Sequence, residues 1–268
     1  MSFLYETHMH TCLASACGVS TGREHVRFYK SLGYTGIIIT DHFFGGNTSI
    51  PRNLPWEKRI DLFFRGYEDA WEEGQKVGLD VFFGYEQNYS HDEYLIYGLT
   101  KEYMKAHPEL EHWTRRQQLE EVHRAGGAVI QAHPFRIREY MDCIRVAELF
   151  ADGVEGANAG NDALDDARAY AYARHKGLLM TAGSDNHHSP AGQVFGVELD
   201  RKLDDIKDYA RLIRSGGPIG LHVPQERFLM PDLEMDERHK AFWLNEKEEM
   251  MPLEQGVWDG RRSSLHST

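Results

Sequence analysis

Only three cysteines occur in 268 residues, Cys12, Cys17 and Cys143, an odd and small number that excludes a disulfide framework and suits a reducing compartment. The cytoplasm is the expected location. No apolar run approaches the ~20 residues needed to cross a bilayer, and no N-terminal basic segment leads into an apolar stretch with a cleavage site. Neither membrane insertion nor export is indicated. Basic residues are in deficit: 30 Lys and Arg against 42 Asp and Glu leave a net charge of −12, which repels nucleic-acid phosphates over most of a surface. A small-molecule substrate is favoured, and a nucleotide is the only nucleic-acid-like one left open. Internal repeats and low-complexity tracts are also missing.

A hydrophobic content of 41% and an aromatic content of 12% are those of a folded globular chain, and α/β barrels of this length are routinely one domain. Short apolar runs alternate with helical patterns. "FLYETH" (3–8) precedes a helical spacing over 21–32, and "GIIIT" (36–40) is a continuous apolar run expected of a strand buried on both faces. Residues 56–77 read as one helix, followed by strands at 78–86 and 93–99 with too little chain between them for a long crossover. Helix over 113–125, strand over 126–133, a helix-like pattern over 137–150, strand over 152–159, helix over 161–176 and strand over 177–185 follow. Further candidates are a strand at 193–199 and a helix at 203–215. About seven strand-helix repeats predict a parallel α/β architecture, preferably a barrel. The barrel spans residues 1–222, and 223–268 reads as an extension packed on it or frayed.

The polar residues fall where apolar strands stop. His8 and His10 close the first, Asp41 and His42 follow the second, Glu86 ends the third, His133 the fifth, and Asp185 and His187 follow the seventh. The C-terminal ends of parallel barrel strands form one face, the face on which active sites are built. Imidazoles and carboxylates gathered there are the makings of a multinuclear hydrolytic centre. The His-x-His spacing on an extended segment also points both rings to one side. The remaining histidines, His25, His107, His112, His123, His175, His222, His239 and His266, have no such setting and read as surface or core residues.

In this order, "ETHMHT", "ITDH", a strand-terminal Glu, "AHP" and "GSDNH" resemble the polymerase and histidinol phosphatase (PHP) family of metal-dependent phosphoesterases over about residues 3 to 220. The resemblance implies a distorted (β/α)7 TIM-like barrel that holds two or three divalent ions (Zn, Mn or Fe) and hydrolyses a phosphate ester, mono- or diester. It further implies one ion on His8, His10, Glu86 and Asp185, a second on Glu86 and His133, and a third among Cys17, His42 and His187. Two departures stand out. The loop after His-x-His offers "SACG", so Cys17 is either a thiolate ligand, suited to zinc or iron, or a filler. The fourth strand ends in "YLIYGLT" without a histidine, and His91 precedes it at what a parallel strand makes the wrong end, leaving the second ion weakly held or absent. Asp41 reads as a partner that orients a ligand histidine.

A hydroxide bridging two ions supplies the nucleophile in such a centre, and the ions neutralise phosphoryl charge. Asp185 and His187 are the catalytic candidates, with His187 or a metal-bound water left open as the general acid. Arg136, directly after the fifth-strand ligand, is the candidate phosphate clamp, while Arg138 reads as a surface residue. Phe43, Phe44 and the loop after them, with Arg52, Lys58 or Arg59, are expected to cover the substrate. The rival readings are an amidohydrolase-type deaminase or amidase, which places Lys or His on the fourth strand and further histidines on the next two, and a metal-binding module without activity.

Overall fold

The computed structural model describes residues 2–90, 92–139, 141–229 and 240–253. Strands β1 (Phe3–Glu6), β2 (Gly36–Ile39) and β3 (Asp80–Tyr89) are parallel neighbours. β4 (Asp92–Tyr97) follows β3 at once and pairs antiparallel with it and with β5 (Ala128–Ala132). Beyond β5 the sheet is parallel again through β7 (Gly153–Asn158) and β8 (Leu179–Gly183). β9 (Gly196–Leu199) and β10 (Gly220–His222) extend the β1 edge antiparallel, giving the order β10-β9-β1-β2-β3-β4-β5-β7-β8. The outermost strands pack side by side, so the sheet is a nearly closed barrel. This is the α/β barrel-like class expected from the strand pattern, with one correction: β4, β9 and β10 break the parallel repeat.

Helices α1 (Gly22–Ser31), α2 (Trp56–Phe63), α3 (Arg65–Val77), α4 (Lys101–Ala106), α5 (Arg115–Arg124), α6 (Ala163–Lys176) and α7 (Ile206–Arg214) lie between the strands. Local chemistry sets several ends. Thr21 and Thr114 open α1 and α5 with reciprocal capping boxes to Glu24 and Gln117, and Gly78 and Gly177 close α3 and α6 in the left-handed region at φ 68° and 67°. The expected single helix over 56–77 divides at Phe64, whose ring stacks on Phe83 at 4.0 Å between centroids. The expected helix over 137–150 is instead β6 (Cys143–Val146) and a short 3₁₀ turn, Glu148–Phe150. β6 pairs with β11 (Lys240–Leu244), which pairs with β12 (Met250–Pro252), in a second sheet of three strands. A helical spacing of apolar residues there was overridden by partners more than ninety residues away, which no local pattern encodes.

The aromatic residues explain a further correction. Phe43 and Phe44, expected over the substrate, are 0% and 1% exposed and pack with Trp56, Phe63 and Tyr85 in the largest core cluster. Arg59 lies 3.9 Å above the Phe44 ring and makes two 2.7 Å bonds to Glu111, so it is spent on the core. Arg52 and Lys58 are exposed. Phe44→Ala is expected to lower the free energy of unfolding by about 3–5 kcal/mol in urea titrations. A loss below about 1 kcal/mol would mean that the ring is not a core element.

Candidate metal centre

His8 and His10 stand just past β1, with Met9 between them fully buried and bridged to Asn186 past β8. Strand alternation thus sends Met9 into the core and both rings to the barrel mouth. Their Nε2 atoms are 3.1 Å apart. Asp185 Oδ1 lies 3.4 and 3.0 Å from these two nitrogens. Glu86 reaches His8 at 3.3 Å and His133 at 3.2 Å through Oε1, and His10 at 3.4 Å and His42 Nδ1 at 2.7 Å through Oε2. The His42 and His187 rings flank His10 at 4.2 and 4.4 Å between centroids, and Cys17 Sγ is 3.1 Å from His187 Nε2. Four sets of donors have their atoms within 4.8 Å of one another: His8, His10 and Asp185; His8, Glu86 and His133; His10, His42 and His187; and His42, Glu86 and Glu93.

The surrounding bonds decide which nitrogens face inward. His8 Nδ1 lies 3.0 Å from Glu155 Oε1; a carboxylate only accepts, so Nδ1 carries a proton and Nε2 remains to take a proton or an ion. Ser15 Oγ donates to Asp41 Oδ1 at 2.7 Å, so its bond with His10 Nδ1 at 3.2 Å is donated by the imidazole. Asp41 therefore orients His10 through Ser15, and it also accepts from the Thr11 N–H and hydroxyl at 2.6 and 2.8 Å. His187 Nδ1 donates to the Asp185 carbonyl at 2.7 Å. In all three rings Nε2 is the inward atom. The His133 N–H donates to Glu155 Oε2 at 3.0 Å, and His25, read from sequence as unremarkable, is fully buried and bonds the His10 carbonyl at 3.0 Å.

The charges follow from this crowding. Burial opposes ionisation of Glu86, yet the His8 and His42 charges and the bonds from His133 and His42 hold it well below the usual carboxylate range. Burial likewise opposes charge on His8, but Glu155, Asp185 and Glu86 raise it well above an ordinary histidine, whereas burial and the His42 charge keep His10 neutral. Burial pushes the Cys17 thiol up, and bonds and charge from His187 and His42 bring it down to about 6. His42 Nδ1 and Glu86 Oε2, both buried, face each other at 2.7 Å as an ion pair. A buried carboxylate at the focus of converging imidazole nitrogens, with donor sets that close within 4.8 Å, fits a divalent cation. His133 and Asp185 also hold left-handed backbone, φ 29° and 52°, a strain that accumulates at functional sites.

Sequence reasoning missed Glu93 and Glu155. Because β4 is antiparallel, its first residues and not its last lie at the barrel mouth, and Glu93 Oε2 comes 3.5 Å from His133 Nε2. The argument that His91 stood at the wrong end is therefore corrected; His91 itself lies outside the described residues. Glu86 is inside β3, which runs on to Tyr89, and not at its end. Glu155 sits mid-strand in β7, where a bulge between Glu155 and Ala157 turns it toward His8. Arg136 is at the mouth, but its guanidinium is engaged by Asp185 Oδ2 (2.6 Å), Asn161 (2.6 Å) and Asn158 (2.9 Å). It does not stand open as a phosphate clamp. The mouth forms a cavity of about 530 Å³ whose lining includes Cys17, Glu93, Arg136, Arg138 and His187.

No protein-family model matches this chain, and no curated protein matches it. Among solved structures it superposes on a protein of Bifidobacterium adolescentis assigned as a metal-dependent phosphoesterase, with TM-score 0.51 and 17% identity, over 80% of this chain and 96% of that one. A two-domain protein of Bacteroides vulgatus containing a predicted PHP-like metal-dependent phosphoesterase aligns with TM-score 0.54 and 17% identity, over 80% of this chain and 64% of that one. PsfC of Pseudomonas syringae aligns with TM-score 0.54 and 14% identity, over 85% of this chain and 93% of that one. The fold is that of PHP-like phosphoesterase structures.

In metal-free protein, iodoacetamide labelling of Cys17 is expected to rise with a midpoint near pH 6, followed by mass spectrometry at each pH. His187→Ala removes the imidazole that lowers this thiol, so the midpoint moves up; a wild-type midpoint at or above 8.5, the value of a free thiol, would contradict the arrangement.

Proposed function

We propose that this chain is a metal-dependent phosphoesterase acting on a small-molecule phosphate mono- or diester. The observation that carries the reading is the convergence of inward Nε2 atoms on the buried carboxylate of Glu86 and on that of Asp185. His8, His10, Glu86 and Asp185 would hold one divalent ion, Glu86, His133 and Glu93 a second, and His42, His187 and Cys17 a third; zinc, manganese and iron suit these donors. When bound, such ions activate water at neutral pH and neutralise charge on a transferring phosphoryl group.

The chain's own residues supply the rest. Asp41 and Glu155 fix the His10 and His8 rings. Arg136 holds Asp185 in place, while Arg138, whose guanidinium among the described residues meets the Ile137 and Gly160 carbonyls, is placed at the cavity wall to meet a substrate phosphate. His187, at the cavity wall with Nδ1 protonated, offers one lone pair at Nε2, which holds the third ion when that ion is bound and is placed to manage the leaving-group proton when it is not. The amidohydrolase reading is less well served: among the described residues the site end of β4 carries Glu93 and no Lys or His, and Glu155 of β7 is turned to His8. Among the described residues no helix is long and apolar enough to span a membrane. All three cysteines are free, which supports a cytoplasmic location.

His10→Ala and Asp185→Ala are each expected to lower metal content by elemental analysis and to abolish phosphate release. Full occupancy with unchanged turnover in both would overturn the assignment. Glu155→Gln keeps the shape but weakens the hold on His8, and should cost about 10–100-fold in metal affinity or activity.

A further inference from the structure

Small-molecule sites are lined mainly by hydrophobic and aromatic side chains, with a few polar groups setting orientation. This cavity inverts that composition. The chain has 13 Phe, 13 Tyr and 5 Trp, yet among the described residues none of them lines it, nor does any Leu, Ile, Val, Met or Ala side chain. Phe43, Phe44, Tyr85 and Phe135 adjoin lining residues in sequence but are at most 1% exposed, and Tyr89, next to Asn88, turns its hydroxyl to Gln118. Two adjoining depressions add only Met141, two prolines and three alanines as apolar lining.

Beyond the metal donors, the wall consists of the amides of Asn47 and Asn88, the Arg138 guanidinium, that of Arg136 already bound to Asp185, Asn158 and Asn161, and the bare backbone at Gly45, Gly46 and Gly160. Amides and peptide edges both donate and accept, as hydroxyl groups do. A nucleobase or aryl group bound here would find no ring to stack on, although stacking is the main sequence-tolerant source of base affinity. An aryl group would also cover the exposed Asn47 amide and the Arg138 guanidinium, removing their bonds to water with nothing given in exchange.

We infer that the leaving group is small and hydroxyl-rich, so that the substrate is a phosphorylated sugar or polyol and not a nucleotide or aryl phosphate. This rests on the phosphoesterase reading and narrows it. The cavity of about 530 Å³ accommodates a molecule of that size beside the metal donors.

The test uses full-length protein reconstituted with Zn, Mn or Fe, with kcat/KM measured for glycerol 1-phosphate, ribose 5-phosphate and glucose 6-phosphate against 5′-AMP and phenyl phosphate. The best sugar or polyol phosphate is expected to exceed 5′-AMP and phenyl phosphate by tenfold or more. Equal or better turnover of either of those two overturns the inference while leaving the phosphoesterase reading intact. Release from none of the five by metal-loaded protein overturns the inference, and failure on bis(p-nitrophenyl) phosphate as well overturns the phosphoesterase reading with it. Asn47 is exposed, so Asn47→Trp is compatible with folding and places an indole at the wall. It is expected to narrow the preference against 5′-AMP severalfold by lowering the KM for the nucleotide. An unchanged ratio would put the leaving group elsewhere and overturn the inference.

Discussion

The structure turns on one buried carboxylate. Glu86 is 1% exposed and lies within 3.4 Å of four imidazoles, those of His8, His10, His42 and His133. An isolated carboxylate out of water costs many kcal/mol, and only positive charge close by offsets it. Protons on His8 and His42 supply that charge in the metal-free site, since both are raised well above an ordinary histidine. Divalent ions supply it better, because an ion accepts several lone pairs at once where a proton accepts one. A proton and a divalent ion would take the same nitrogens at the barrel mouth.

Layers of hydrogen bonds hold these nitrogens in place. Asp41 ties Thr11, Ser15 and, through Ser15, His10. Glu155 ties His8 and the His133 backbone, and the adjoining β8 must come so close that a Cβ at Gly183 would lie 2.5 Å from His8 Cβ and 2.8 Å from Glu155 Oε1. On the opposite side, Asp185 is held by Arg136, Arg136 by Asn158 and Asn161, and the turn carrying those asparagines by Arg227, which bonds Asp166 at 2.7 Å and the Asn161 carbonyl. A residue read from sequence as part of a peripheral extension thus lies three side chains from the metal centre. Chains of this kind rigidify a site only when every member is satisfied.

Much of the site was legible along the chain, because a strand that is apolar throughout and then stops in His, Asp or Glu marks the barrel mouth. His8, His10, His42, His133, Asp185 and His187 were located in this way, and Asp41 was placed beside a histidine. Glu93 was not, since finding the site end of β4 requires its direction, and two residues between apolar runs do not declare a hairpin when they lack turn glycines. Arg136 illustrates a different blindness. Its proximity to His133 was visible, but its commitment to Asp185, Asn158 and Asn161 depends on three segments that meet only in the folded barrel.

The sequence by itself determined the class of fold and where metal-ligating side chain types gather, for both are written locally: burial on two faces makes a continuous apolar strand, and the side chains that follow a strand's end stand at the barrel mouth. Tertiary structure alone decided the strand directions, the pairing of β6 with β11, the burial of Phe43 and Phe44, and which cations remain free to meet a substrate. Those outcomes arise from contacts between segments distant in sequence, where packing and charge compensation outweigh local propensity.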